Sequence, residues 1–150
     1  EIPKRDWSSD VCSSDLQVPH VDFYIAATIS VMNVLHILDF HREWVDLGLV
    51  KPKDFNFNIC QGPDWYRIDI LPKKFKETIV VPAYENHIAW LSDKDDLKRA
   101  TSGYQSAINF MMSQDRSDLL PRFISETEKL DLIRNESFWE TFPELQVLTK

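Results

Sequence analysis

Two hydrophobic periods alternate early in the chain, and the switch from one to the other falls close to Asn33. From Phe23 to Val31 the side chains Phe23, Ile25, Ala27, Ile29 and Val31 alternate with Tyr24, Ala26, Thr28 and Ser30. A two-residue period with one strongly apolar face predicts a β-strand. Beyond Asn33 the period lengthens, and Val34, Ile37, Leu38, His41, Trp44 and Val45 fall on one helical stripe. Asn33 suits the N-cap of that helix, and Gly48 stands where a C-terminal cap glycine belongs. Lys51–Cys60 returns to alternation, with Phe55, Phe57 and Ile59 opposed to Asn56, Asn58 and Cys60. Strand, helix and strand predict a βαβ unit with a parallel pair. Because each strand shows polar residues on one face, two arrangements stay open. The polar side lines a barrel lumen that holds a ligand, or it is the wet face of a half-exposed sheet.

Farther on, Tyr66, Ile68 and Ile70 alternate within Trp65–Leu71 and predict a third short strand. Pro72 opens a helix over Lys73–Ile79, and Pro82–Ser92 predicts a turn of helix carrying Ile88, Trp90 and Leu91. Ser92 or Asp93 then caps a helix whose stripe is Leu97, Ala100, Tyr104, Ala107, Ile108 and Met111, weakened only by Gly103. A further helix spans Asp118–Arg134, with Pro121 in its first turn and Phe123, Ile124, Leu130 and Ile133 as its core face. Ser137–Leu148 begins another, interrupted at Pro143. No repeat or flexible linker divides these elements, so they predict one α/β domain of two to three strands followed by a mainly helical C-terminal region.

Glu1–Leu16 does not belong to this pattern. Asp6–Leu16 resembles, in frame, the translation of an indexed sequencing adapter, and Glu1–Arg5 fits the adapter's upstream part around its index. Residues 1–16 are therefore expected to be a non-native leader and residues 17–150 the protein's own sequence, starting near Gln17 with its N-terminal part missing. The chain carries a net charge of −7 and stays mildly acidic without the leader's four acids and two bases. That balance argues against nucleic acid or an anionic membrane as partner. Without Cys12 the only thiol is Cys60, which excludes a disulfide framework and a cysteine-only metal site and gives the expectation of a cytoplasmic protein. No run is long and apolar enough to cross a bilayer.

The candidate chemistry is sparse. His36, Asp39 and His41 suggest a metal site, but His36 and His41 lie about 140° apart around a helix and cannot share a face. The expected role of such a histidine is at the edge of a packed stripe. Lys73, Lys74 and Lys76 are expected on a solvated helix face rather than in a phosphate patch, and Glu126, Glu128 and Asp131 likewise. Ser30 lacks the glycine elbow of a hydrolase nucleophile. A thiol–base pair of Cys60 with His20 or His87 stays open on composition alone.

Thr28–Asn33, Val34–Leu38 and Phe40–Gly48 resemble the fifth strand and helix of radical S-adenosylmethionine (SAM) enzymes. Asn58–Pro63, Ile68–Lys73, Leu130-Asp131, Arg134 and Phe142–Leu145 are similar to the branch that carries a twitch auxiliary domain. The resemblance implies the C-terminal fragment of a partial (β/α)6 barrel. It also implies a parent enzyme that cleaves SAM reductively to a 5′-deoxyadenosyl radical, which abstracts hydrogen from an unknown substrate. In that family a [4Fe–4S] cluster is held by three cysteines spaced Cys-x3-Cys-x2-Cys. This sequence has no such triad and no twitch cysteines, so the expectation is a fragment inactive by itself. The family uses the carboxyl ends of its strands. Carried onto this chain, that implies Ser30 and Asn33 as SAM contacts and Asn58 and Gln61 as contacts to adenine or substrate. The rival expectation is a non-catalytic α/β module whose C-terminal helices bind a protein partner.

Overall fold

The computed structural model describes residues 24–149. The leader Glu1–Leu16, His20 and the first residue of the predicted strand, Phe23, lie outside the described residues. Strand β1 (Ile25–Ile29) leads through a 3-10 turn (Val31–Asn33) into helix α1 (His36–Asp46), and the chain returns as β2 (Phe55–Ile59). The strands pair in parallel, in register from Ile25 opposite Phe55 to Ile29 opposite Ile59. The predicted βαβ unit is therefore present. Its exit is also as expected: Gly48 takes φ +70°, its N–H bonds the Val45 carbonyl and the Leu49 N–H bonds that of Trp44. These two bonds are the paired C-terminal closure that favours glycine at this position.

Its entry differs. Asn33 does not cap α1, which starts behind Leu35 with no side-chain cap. The Asn33 amide is committed to the backbone leaving β1, where Oδ1 accepts from Ser30 N at 2.9 Å and Nδ2 donates to the Thr28 carbonyl at 2.9 Å. The predicted third strand is also replaced. Trp65–Leu71 forms two 3-10 turns, Asp64–Tyr66 and Ile68–Ile70. Ile68, Asp69, Ile70 and Leu71 are all buried, which abolishes a two-residue period. The Asp69 carbonyl accepts from Lys76 Nζ at 2.6 Å and from Arg116 N at 3.2 Å, so it is spent on neighbouring loops rather than on a ladder. Among the described residues the sheet thus has two strands. The architecture is mixed α/β and mostly helical, and these residues close no barrel.

Pro72 precedes a short helix α2 (Lys73–Phe75) that widens into a π-turn (Lys76–Val80) and continues as α3 (Val81–Leu91). Pro82 has no N–H to return to the preceding turn, and the wide turn stands directly before it. Lys73 and Lys74 are exposed as expected, but Lys76 is buried and donates to the carbonyls of Asp69 and Gln114. Helix α4 (Arg99–Ser113) lies on β2 and buries Ala100, Tyr104, Ala107, Ile108 and Met111. Leu97 falls before its first turn and is 54% exposed. The buried Asp95 caps the helix instead, accepting from Arg99 N and Thr101 N. Gly103 is a contact requirement, because a Cβ there would stand 2.5 Å from Cδ2 of Phe57. Helix α5 (Leu120–Arg134) has its proline in the first turn and buries Phe123, whereas Ile133, expected in the core, is 80% exposed beside Leu132 at 85%. Ser137 then caps α6 (Phe138–Thr141), and Pro143 starts a closing 3-10 segment to Thr149.

Candidate functional site at the strand ends

The apolar face of the sheet is covered by α1 and α4. His41 stacks on Phe55 with ring centroids 3.9 Å apart, and Phe57 packs on Tyr104 at 4.3 Å. The other face carries Ala26, Thr28, Asn56 and Asn58, all exposed. The alternation read from the sequence therefore sorts correctly, and the polar side is open among the described residues. Parallel pairing sets Thr28 beside Asn58 and extends one step further, with Cys60 N donating to the Ile29 carbonyl at 2.9 Å. Both strands consequently end together, and Ser30, Asn33, Asn58 and Gln61 gather at that end.

Their side chains differ in what they have left to offer. Asn33 is spent on the β1 exit, and the Ser30 hydroxyl lies 3.5 Å from its Oδ1. Gln61 donates Nε2 to the Ile59 carbonyl at 3.2 Å, and its Oε1 has no partner among the described residues. Asn58 points from the open face. Asn33 and Ser30 thus shape the rim, and Asn58 and Gln61 stand exposed beside it. Cys60 donates weakly to the Gly62 carbonyl at 3.5 Å and makes no pair with His87. His87 sits in the core with His41, and His20 lies outside the described residues.

That core is the feature the sequence did not announce. His41 and His87 are fully buried, with Nδ1 of His41 3.1 Å from Nε2 of His87 and 3.0 Å from the Tyr104 hydroxyl. Arg42 Nε donates to His87 Nδ1 at 3.2 Å, and an arginine can only donate. His87 therefore carries its proton on Nε2 and passes it toward Nδ1 of His41. His41 in turn carries its proton on Nε2, which donates to the Pro52 carbonyl at 3.2 Å. In this chain a further proton on His87 would face the Arg42 N–H, and one on His41 would face the His87 N–H. Burial pushes His41 down to about 4. Burial first, then the neighbouring His41 and Arg42, push His87 down to about 3. Desolvation raises the hydroxyls of Tyr84 and Tyr104 as well. A metal on Nε2 of His87 would require the proton on Nδ1, against the Arg42 N–H, so the pair does not suit a metal ion. The signal in the sequence was the stripe Tyr84, His87, Leu91, at helical spacing and buried in α3. Ile88 and Trp90, expected to lead that turn, are half-buried.

His36, the other candidate ligand, is exposed and meets Glu144 Oε1 at 2.7 Å. Asp131, expected on a solvated face, accepts from Phe138 N at 2.9 Å and pins α6 to α5. Among the described residues Cys60 is the only free cysteine, and no group of three or more His, Cys, Asp or Glu is placed to hold a metal ion. No helix among them is long and apolar enough to cross a membrane. Comparison of the chain with protein-family models, curated proteins and solved structures finds no match in any of the three.

Proposed function

We propose that this chain carries a part of a radical SAM catalytic domain, in which the carboxyl ends of β1 and β2 border the adenosyl group of SAM. One observation carries the reading. A parallel βαβ unit brings Ser30, Asn33, Asn58 and Gln61 to one end of the sheet, next to a polar face left open by the described residues. Ligands of parallel α/β folds bind at that end of the strands. Asn58 and the free Oε1 of Gln61 suit the donor–acceptor edge of adenine. Asn33 acts as a positioning residue: by holding Ser30 N and the Thr28 carbonyl it fixes the loop that the ligand would touch.

The described residues do not fit a [4Fe–4S] cluster, whose iron needs several thiolates. SAM, when bound and reduced, supplies the 5′-deoxyadenosyl radical; the residues here bind and orient its adenosyl end. Calorimetry with SAM tests the reading. The full chain is expected to bind weakly but saturably, and Asn58→Ala to weaken binding about tenfold, the loss of one or two neutral hydrogen bonds. Absence of saturable binding overturns it.

The exposed Leu132 and Ile133 favour a second reading, a non-catalytic α/β module whose C-terminal helices bind a protein partner. Under that reading SAM does not bind, and Leu132→Lys with Ile133→Lys removes the interaction without loss of fold.

A further inference from the structure

A cleft of about 150 Å³ opens between the turn that leaves β1 and the α5–α6 corner, walled by Met32, Leu130, Phe138 and Phe142. Its polar groups have unused capacity. Thr127 is 2% exposed and its Oγ1 has no hydrogen-bond partner. A buried hydroxyl left in that state costs free energy that a ligand or water would recover. Asp131 lines the cleft, and one of its oxygens accepts from Phe138 N while the other has no partner among the described residues. Arg134, one turn along α5, supplies a cation at the exposed rim and holds no ion pair among the described residues. Two carboxylates in the lining, Asp131 and Glu136, a buried hydroxyl, a guanidinium at the mouth and apolar walls between them suit a ligand with an ammonium, a carboxylate and a hydrophobic side chain.

We infer that this cleft binds a free α-amino acid, its ammonium on Asp131 and Thr127, its carboxylate on Arg134, and its aliphatic side chain against Met32, Leu130 and Phe142. The inference does not depend on SAM binding, because the cleft shares only the Met32 turn with the strand ends. Two arms of the test separate the halves of the recognition. Isoamylamine keeps the ammonium and the side chain, and isocaproate keeps the carboxylate and the side chain.

The full chain, labelled with 15N, is titrated with L-leucine, isoamylamine and isocaproate while amide resonances are followed by NMR. L-Leucine at up to about 10 mM should give saturable shifts at Thr127, Asp131, Ser137 and Phe138, and each half-ligand should bind at least about tenfold more weakly. Thr127→Val, close in shape, and Arg134→Gln, at the exposed rim, should each weaken L-leucine about tenfold. Resonances of Asn58 and Gln61 should not move. Shifts absent or unsaturable in the unsubstituted chain overturn the proposal whatever the variants do. So does binding of either half-ligand as tight as L-leucine, or binding unchanged in both variants.

Discussion

His41 and His87 give this protein a pH response, because burial holds each ring neutral and His87 is held so by the neighbouring His41 and Arg42 as well. In the unfolded chain both would take a proton near 6.5, whereas in the fold they resist to about 4 and about 3. The unfolded state therefore binds more protons throughout that window. Their contribution to stability is complete above about pH 7 and is lost as pH falls, with a slope approaching about 1.4 kcal/mol per pH unit for each histidine. Urea midpoints measured from pH 8 to pH 4 should show a plateau and then a decline, and His87→Gln should flatten that decline; a midpoint independent of pH would contradict the assignment. Lys76 makes a second residue-scale test. Lys76→Met removes donors from the carbonyls of Asp69 and Gln114 and should destabilise by about 1–3 kcal/mol in urea unfolding. An exposed lysine, as its sequence context suggested, would cost almost nothing. Neither role was legible beforehand. A histidine or a lysine on an amphipathic stripe reads the same whether its head reaches water or a partner brought in from tens of residues away.

At the level of elements, periodicity succeeded where one face of a segment is covered and the other is open. β1, α1, β2 and α4 meet that condition, and their buried residues are those the spacing selected. It failed at Trp65–Leu71, where both sides are covered and the backbone bonds to loops, and at Ile133, where the helical stripe runs past the surface available to pack on. Gly103 marks the closest approach of helix to sheet. Gly103→Ala gains about 1 kcal/mol of intrinsic helix propensity, but its methyl would stand 2.5 Å from the Phe57 ring. Overpacking of that kind costs about 1–3 kcal/mol. The variant should be less stable by thermal unfolding, and a stabilised variant would mean that α4 does not press on β2. The glycine looked like a weakness in the helix because the element it touches is distant in sequence.

For the whole molecule, the two parallel strands, the covered apolar face and the open polar face all follow from alternation in the sequence. The four residues singled out for ligand contact do come together at one end of the sheet. Whether they meet a ligand was not legible from spacing, since Asn33 and Gln61 serve the backbone and the pattern of a wet sheet face equals that of a ligand-lined one. Locating an adenosyl ligand on the molecule separates these two cases directly. The measurement is the map of backbone amide shifts in the 15N-labelled full chain on titration with S-adenosylhomocysteine, which keeps the adenosyl group and cannot be cleaved to a radical. The account predicts saturable shifts confined to Thr28, Ser30, Asn33, Asn58 and Gln61, with the His41–His87 core unmoved. Shifts that never saturate, or that gather on α5 and α6 and leave the strand ends silent, would contradict it.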